Sequence, residues 1–263
     1  MEMELEFDGD DSVSPAQFMT VTANRLTANR LTANNLSPDP ATLEDLFTTP
    51  EGQELLTYLV KCALPEGTDL VILDANGVTE LLRFPGLLGL ATEWEHRWLT
   101  VSEQRWISAC LLAHVNFYDV SVLISVRGDH PSLTADAAEK QIFPLKEAGF
   151  FGNLFQDVDG DGISDPEMYA CAGRDKAQGV NSAALAARAC AEPDPENPGF
   201  TRCGFIYVGE CGTENNATEW SCASNANDDD AYQDCHPTPR TQETDWDSNA
   251  ESFPETMTVH VTA

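Results

Sequence analysis

The residues with the clearest chemical pattern are alternating aspartates near the middle of the chain, between residues 157 and 165. Calcium binds six to eight hard oxygen ligands, and carboxylates at alternate positions of a short loop can surround one ion. Gly162 permits the sharp turn that such a loop needs, because a side chain would obstruct it. The expected ligands are Asp157, Asp159, Asp161, Asp165 and the backbone carbonyl of Ile163. The pattern predicts one bound Ca²⁺ ion, and the alternative is an acidic turn without an ion.

The end of this loop departs from the usual pattern. A bidentate acidic residue is usual at the twelfth position, and Met168 stands there. Glu167 lies one position earlier and is expected to substitute if the chain bends. The departure predicts a weak site, suited to the millimolar calcium outside cells. Residues 157–165 resemble the calcium repeats of thrombospondin type 3 segments and dockerins, and the first part of an EF-hand. Because the loop links the expected core to the bridged region, we expect bound calcium to fix that junction, which is a structural role.

The cysteines form the second pattern. The chain has eight, and the last six follow residue 170 in a stretch that is poor in long apolar runs. No Cys-x-x-Cys pair of the kind that marks structural zinc sites occurs, so disulfides are favoured over free thiols or an irregular metal site. The predicted disulfide cysteines are Cys62, Cys110, Cys171, Cys190, Cys203, Cys211, Cys222 and Cys235.

Only one pairing follows from the predicted helices. Cys62 and Cys110 each lie within the apolar stripe of a predicted helix, so a bridge between them is expected if the helices pack face to face. Spacing cannot choose among the fifteen pairings of the other six cysteines. The simplest arrangement, which closes only short loops, is Cys171–Cys190, Cys203–Cys211 and Cys222–Cys235.

The net charge of the chain narrows the classes of molecule that are expected as partners. The chain has 44 acidic and 14 basic residues and a formal net charge of -30, so nucleic acids and anionic lipids are excluded as expected partners.

Disulfides indicate an extracellular or cell-surface location. Residues 1–20 lack the basic start and apolar core of a signal peptide, so we expect a mature form whose leader has been removed. The alternative is a cytosolic protein with eight reduced thiols. No apolar run approaches the ~18 residues of a membrane span.

The composition divides the chain into three parts. Residues 1–40 are expected to form an acidic tether with three pentads, at 21–25, 26–30 and 31–35, and a structured edge element is the alternative. Residues 41–155 are expected to form an α+β core. Residues 156–263 are expected to form the calcium-loop and disulfide-rich region, with the last strand returning to the core. Self-assembly through residues 1–40 is a further expectation.

Two helices dominate the predicted core. Thr49 and Pro50 suit the start of a helix over 50–63. Thr100 and Glu103 have the spacing of a capping box before a helix over 101–118. An Asn-Gly pair between apolar runs predicts a β-hairpin over 70–84. The predicted fold class is α+β, with a small mixed core of two main helices and a short antiparallel sheet, followed by a loop-rich, disulfide-stapled region.

Catalytic motifs are scarce. His114 lies four residues after Cys110, a spacing that suits either a nucleophile–base pair or a histidine of the core. The sequence contains no Gly-x-Ser-x-Gly elbow, P-loop, dinucleotide fingerprint or His-Glu-x-x-His motif. We therefore expect a calcium-stabilised binding or structural protein of unknown ligand rather than an enzyme, and assign no catalytic residue. The alternatives are a secreted hydrolase of unfamiliar type and a subunit of an extracellular filament.

Four segments carry a wider resemblance: residues 55–64, 103–114, 149–155 and 168–171. In these segments the chain resembles uncharacterised exported proteins of predatory, gliding myxobacteria, some of which carry short Leu/Asn-rich repeats after the leader. The resemblance implies a bacterial cell-surface or secreted setting and no particular activity.

Overall fold

The computed structural model describes residues 46, 48–74, 76–157, 165–212, 219–223, 230–240 and 251–263, together with the backbone of 21–24. The α-helices of this part are α1 Pro50–Ala63, α2 Val101–His114, α3 Ala137–Ile142, α4 Arg174–Ala177 and α5 Ala183–Ala186, and Pro131–Leu133 form a 3-10 helix. The strands are β1 Val21–Asn24, β2 Asp69–Leu73, β3 Glu80–Pro85, β4 Val122–Arg127, β5 Leu145–Asn153, β6 Glu167–Ala172, β7 Ile206–Glu210, β8 Trp220–Ala223, β9 Gln233–Arg240 and β10 Met257–Val261.

The main sheet has eight strands in the order β1-β4-β10-β5-β6-β7-β8-β9, and β2 and β3 form a separate hairpin. The predicted α+β class is confirmed. The sequence predicts a short antiparallel sheet, but the sheet of the structure has eight strands. It is also mixed, because β7 pairs in parallel with both β6 and β8. Strands from the disulfide-rich region thus extend the sheet of the core. The last strand, β10, lies between β4 and β5.

The first strand belongs to the segment predicted to be a tether. Val21–Asn24, within the first pentad, pairs antiparallel with β4 at one edge of the sheet of the same chain. These four residues therefore form a strand at the edge of the sheet, which is the alternative of a structured edge element for this part of residues 1–40. The rest of the predicted tether lies outside the described residues, and self-assembly through it stays a prediction.

Both main helices begin where their capping residues predict. The Thr49 hydroxyl accepts a hydrogen bond from the backbone N–H of Gly52 at 3.1 Å, and Pro50 is the first helical residue. At α2, Thr100 and Glu103 form a reciprocal capping box. The predicted end of α2 at Tyr118 is wrong: the helix ends at His114, because Val115 is extended and the Asn116 side chain forms a turn.

The sheet separates two hydrophobic clusters, because alternate side chains of a strand point to opposite faces. One face packs against α2, which in turn packs against α1, and this face includes Phe150 and Val259, both fully buried. The other face carries Phe151, Tyr169 and Phe253, whose rings contact one another. Two adjacent residues of β5, Phe150 and Phe151, therefore contribute to different clusters, and the second cluster contains four of the cysteines.

A buried ion pair links the helical layer to the sheet. The Nε atom of Arg188 lies 2.5 Å from Oε2 of Glu147 on β5, and the two side chains are 1% and 0% exposed. Arg188 Nη2 also donates to the carbonyl oxygen of Ala113 in the last turn of α2, at 3.0 Å. A cation at the carboxyl end of a helix interacts favourably with its dipole, so Arg188 ties the end of α2 to the sheet.

Candidate functional site

The predicted calcium loop connects two neighbouring strands. β5 and β6 pair antiparallel as far as Asn153 and Glu167, and the loop lies between them. The backbone N–H of Asp165 donates to the carbonyl oxygen of Gln156 at 2.5 Å, which holds the two ends of the loop together. The loop therefore links β5, a strand of the expected core, to β6, a strand of the expected disulfide-rich region, and the two strands are neighbours in one sheet.

The expected ligands divide into described and undescribed residues. Asp159, Asp161 and Ile163 lie outside the described part of the chain. Asp157 and Asp165 have exposed side chains at the two ends of the loop. Glu167 begins β6, and burial together with the nearby Glu251 raises the pKa of its carboxyl group.

The described residues at the base of the loop fit a calcium ligand set in part. Among the described atoms, the buried Oε2 of Glu167 has no hydrogen-bond partner, so this oxygen is available to a cation. Asp157 and Asp165 have exposed carboxylates at the two ends of this segment, and a cation bound there could take oxygen ligands from them. The hard-oxygen chemistry is that of a calcium site.

All eight cysteines form disulfides, and two of the expected pairs are confirmed. Cys62–Cys110 links α1 to α2 with a Cα–Cα distance of 6.1 Å, and Cys222–Cys235 links β8 to β9. The expected pairs Cys171–Cys190 and Cys203–Cys211 are wrong.

The sheet topology explains this error. Cys171 on β6 pairs with Cys211 at the end of β7, because these two strands are neighbours in the sheet. Cys190 pairs with Cys203 across a loop of sequence separation 13. Loop length alone therefore does not decide the pairs: the expected Cys203–Cys211 bridge would close the shortest loop, but the sheet places Cys211 beside Cys171.

His114 is a histidine of the core and not a catalytic base. The ring is 1% exposed, its Nδ1–H donates to the Cys110 carbonyl oxygen at 2.7 Å, and it packs against Tyr58. Burial lowers the pKa of His114 to about 4, because the charged form loses its hydration. Cys110 is oxidised in the bridge to Cys62, so the nucleophile–base pair cannot form in this state.

A shallow groove lies between the turn that follows α2 and the loop closed by the Cys190–Cys203 bridge. The groove is lined by Phe117, Asp194, Pro195, Glu196 and Arg202. It combines an aromatic ring, a guanidinium group and two carboxylates.

The turn that forms the first wall is fixed by one side chain. Asn116 Nδ2 donates to the carbonyl oxygen of Val120 at 2.8 Å, and Asn116 Oδ1 accepts from the N–H of Tyr118 at 3.1 Å. Asp119 has a φ of 52°, a left-handed conformation that aspartate tolerates better than most residues. Phe117 and Tyr118 are thereby directed outward, and their side chains are 48% and 46% exposed.

The second wall is held by the disulfide and by backbone hydrogen bonds. Asp194 N–H donates to the carbonyl oxygen of Phe200 at 2.7 Å, and Glu196 N–H donates to Asp194 Oδ1 at 3.0 Å. The guanidinium of Arg202 lies 6.0 Å from the centre of the Phe117 ring, across the groove. Local contacts thus hold both walls of the groove in this arrangement.

Sequence reasoning missed this groove. Extending the predicted helix to Tyr118 placed Phe117 in a helix, and nothing linked it to residues 190–203. The signal that could have revealed the turn is Asn116 followed by two aromatic residues and Asp119, because asparagine and aspartate favour turns.

No helix among the described residues is long and apolar enough to cross a membrane. Comparisons of the chain with protein-family models, with curated proteins and with solved structures found no match. The functional assignment therefore rests on the residues and the geometry described above.

Proposed function

We propose that the protein is a calcium-stabilised, disulfide-linked binding protein of the cell exterior, secreted or held at the cell surface, and that the groove beside Phe117 binds its ligand. The observation that carries this proposal is the groove itself, which has two fixed walls and an exposed aromatic ring. The four disulfides support an oxidising compartment, because such bonds rarely persist in the cytosol.

The chemistry of the groove favours an uncharged saccharide. The apolar C–H face of a sugar ring can pack on Phe117, while its hydroxyl groups donate to the carboxylates of Asp194 and Glu196 and accept from Arg202. A polyanionic ligand is disfavoured by the net charge of -30. The shallow shape of the groove suits binding of a chain along the surface better than enclosure of a reacting bond.

Replacing Phe117 with alanine is expected to weaken saccharide binding about tenfold, which corresponds to roughly 1.4 kcal/mol, because the stacking face is lost. Affinity electrophoresis in native gels that contain xylan, mixed-linkage β-glucan or starch measures this change through the retardation of the acidic chain. We expect at least one of these neutral polysaccharides to retard the native protein and to retard Phe117→Ala much less.

Trp98→Ala is the matched control. Trp98 is also an exposed aromatic residue, 65% exposed, but it precedes α2, whereas Phe117 follows α2 and lines the groove. Its retardation is expected to equal that of the native protein. Native migration that none of the three polysaccharides changes, or equal retardation of Phe117→Ala and the native chain, would refute the saccharide assignment.

Calcium has a stabilising role in this proposal. The residues that would hold the ion are Asp157, Asp159, Asp161, Asp165, Glu167 and the carbonyl of Ile163. Bound calcium would neutralise carboxylates that otherwise repel one another at the end of the β5–β6 hairpin. The hydrogen bond from Asp165 to Gln156 supports this role, because a loop with joined ends loses less entropy when it binds the ion.

The protein is compared in the presence of chelator and at a free calcium concentration of ~100 times Kd. We expect the melting temperature with chelator to be lower by about 5–10 °C. This range follows from a linkage free energy of about 2.7 kcal/mol and a shift of about 2–4 °C per kcal/mol. Differential scanning calorimetry with and without chelator measures it. The double variant Asp159→Asn/Asp161→Asn should lose this sensitivity, and Glu66→Gln, an exposed acid elsewhere, should retain it. A native melting curve that the chelator leaves unmoved excludes the calcium role.

A further inference from the structure

Two disulfides lie side by side in the second hydrophobic cluster. Cys171–Cys211 and Cys222–Cys235 bring four sulfur atoms together, and Sγ of Cys171 lies 3.8 Å from Sγ of Cys222. The sulfurs of Cys171, Cys222 and Cys235 all lie within 4.8 Å of one another, and Cys211 is bonded to Cys171. The four residues are buried, at 0% exposure.

These distances approach those of a tetrahedral thiolate site. A Zn–S bond of about 2.3 Å in tetrahedral geometry places neighbouring sulfurs about 3.8 Å apart. The Cys171–Cys222 contact already has this separation. Opening the two S–S bonds would require the bonded sulfurs to move apart by less than about 2 Å to reach the same spacing.

The backbone around the sulfurs also suits thiolates. Gly149 on β5 donates its N–H to Sγ of Cys211 at 3.2 Å. A Cβ atom at Gly149 would lie 2.9 Å from Sγ of Cys171 and 3.2 Å from Sγ of Cys211, so the strand can approach only because this residue is glycine. Hydrogen bonds from backbone N–H groups stabilise metal-bound sulfur, and the aromatic surroundings of Phe151 and Tyr232 exclude water.

We propose that Cys171, Cys211, Cys222 and Cys235 bind one Zn²⁺ ion as four thiolates when their two disulfides are reduced. Two molecules of a dithiol reductant supply four electrons and four protons, which convert the two disulfides into four thiols, and the reductant is oxidised to two disulfides. Zinc then displaces four protons as four Zn–S bonds form. The metal would join the same parts of the sheet, β6 to β9, that the disulfides join in the oxidised chain.

Cobalt substitution tests this site. The full chain is reduced with a dithiol, desalted without oxygen and titrated with Co²⁺, which gives visible and thiolate charge-transfer absorption in a tetrahedral sulfur site. We expect saturation at one Co²⁺ per chain, displacement by one Zn²⁺, and release of about four protons per zinc. Near-ultraviolet circular dichroism of the zinc-loaded, reduced chain should keep the signal of the oxidised protein.

Two variants make the test specific. Cys222→Ser/Cys235→Ser should lose the cobalt charge-transfer bands, whereas Cys62→Ser/Cys110→Ser, which removes the bridge between α1 and α2, should keep them. The proposal is overturned if the reduced chain gives no charge-transfer absorption, or if Cys222→Ser/Cys235→Ser gives the native spectrum. It is also overturned if reduction unfolds the chain and zinc fails to restore the near-ultraviolet signal.

Discussion

Replacing Arg188 with methionine is expected to lower the free energy of unfolding by about 3–5 kcal/mol, because the substitution leaves the carboxylate of Glu147 buried without its cation. Both side chains are almost fully removed from solvent, at 1% and 0% exposure, so water cannot replace the lost partner. The variant also loses the hydrogen bond to the Ala113 carbonyl at the end of α2. Urea unfolding followed by far-ultraviolet circular dichroism measures the change.

A second variant separates the unpaired charge from the loss of packing. In Arg188→Met/Glu147→Leu no charge remains, so most of the lost stability should return. The hydrogen-bonding groups of the native ion pair are not all used, because among the described atoms Glu147 Oε1 and Arg188 Nη1 have no hydrogen-bond partner. The double variant removes both of these buried polar atoms. Arg83→Met is the control: Arg83 pairs with Asp69 on the surface with 49% of its side chain exposed, and its loss should change the free energy of unfolding far less than the loss of Arg188. Equal effects of Arg188→Met and Arg83→Met would contradict this account of the buried pair.

Removing the bridge between the two main helices, with Cys62→Ala/Cys110→Ala, is expected to cost about 4 kcal/mol. The bridge closes a loop of sequence separation 48, and the chain-entropy model gives about this value for the freedom that the unfolded chain regains. The side chains of both residues are fully buried, so the lost sulfur contacts add to the effect. Equilibrium unfolding in guanidinium chloride measures the loss.

The shorter bridge provides the comparison for this prediction. Cys190–Cys203 has a sequence separation of 13, for which the same model gives about 3 kcal/mol. We therefore expect Cys190→Ala/Cys203→Ala to be the less destabilised of the two variants. A loss below about 1 kcal/mol for Cys62→Ala/Cys110→Ala would show that packing of α1 on α2, and not the covalent link, holds these helices together.

Features that depend on residues close in sequence were predictable. The starts of α1 and α2 follow from Thr49, Pro50, Thr100 and Glu103, because a cap is formed by a side chain and backbone groups within three residues. The end of α2 was not predictable from its apolar stripe. The apolar pattern continues to Tyr118, but hydrogen bonds from Asn116 stop the helix after His114.

Features that depend on the order of strands in the sheet were not predictable. Cys171 and Cys211 meet because β6 and β7 pair in parallel, and no property of the intervening residues specifies that neighbour. The groove also depends on residues far apart in sequence. Its walls are the turn after α2 and the loop that begins at Cys190, and Cys190 contacts Val115 across a sequence separation of 75. The aspartate pattern predicts a calcium loop from local spacing, but only the pairing of β5 with β6 places this segment at the end of a hairpin.

The direct test of this account is a map of the disulfides in the native protein. The chain is alkylated without reduction under denaturing conditions, digested with a protease and analysed by mass spectrometry. The structure predicts no alkylated cysteine and the linked peptides Cys62–Cys110, Cys171–Cys211, Cys190–Cys203 and Cys222–Cys235. Eight alkylated cysteines would contradict both the covalently linked fold and the extracellular setting proposed from it.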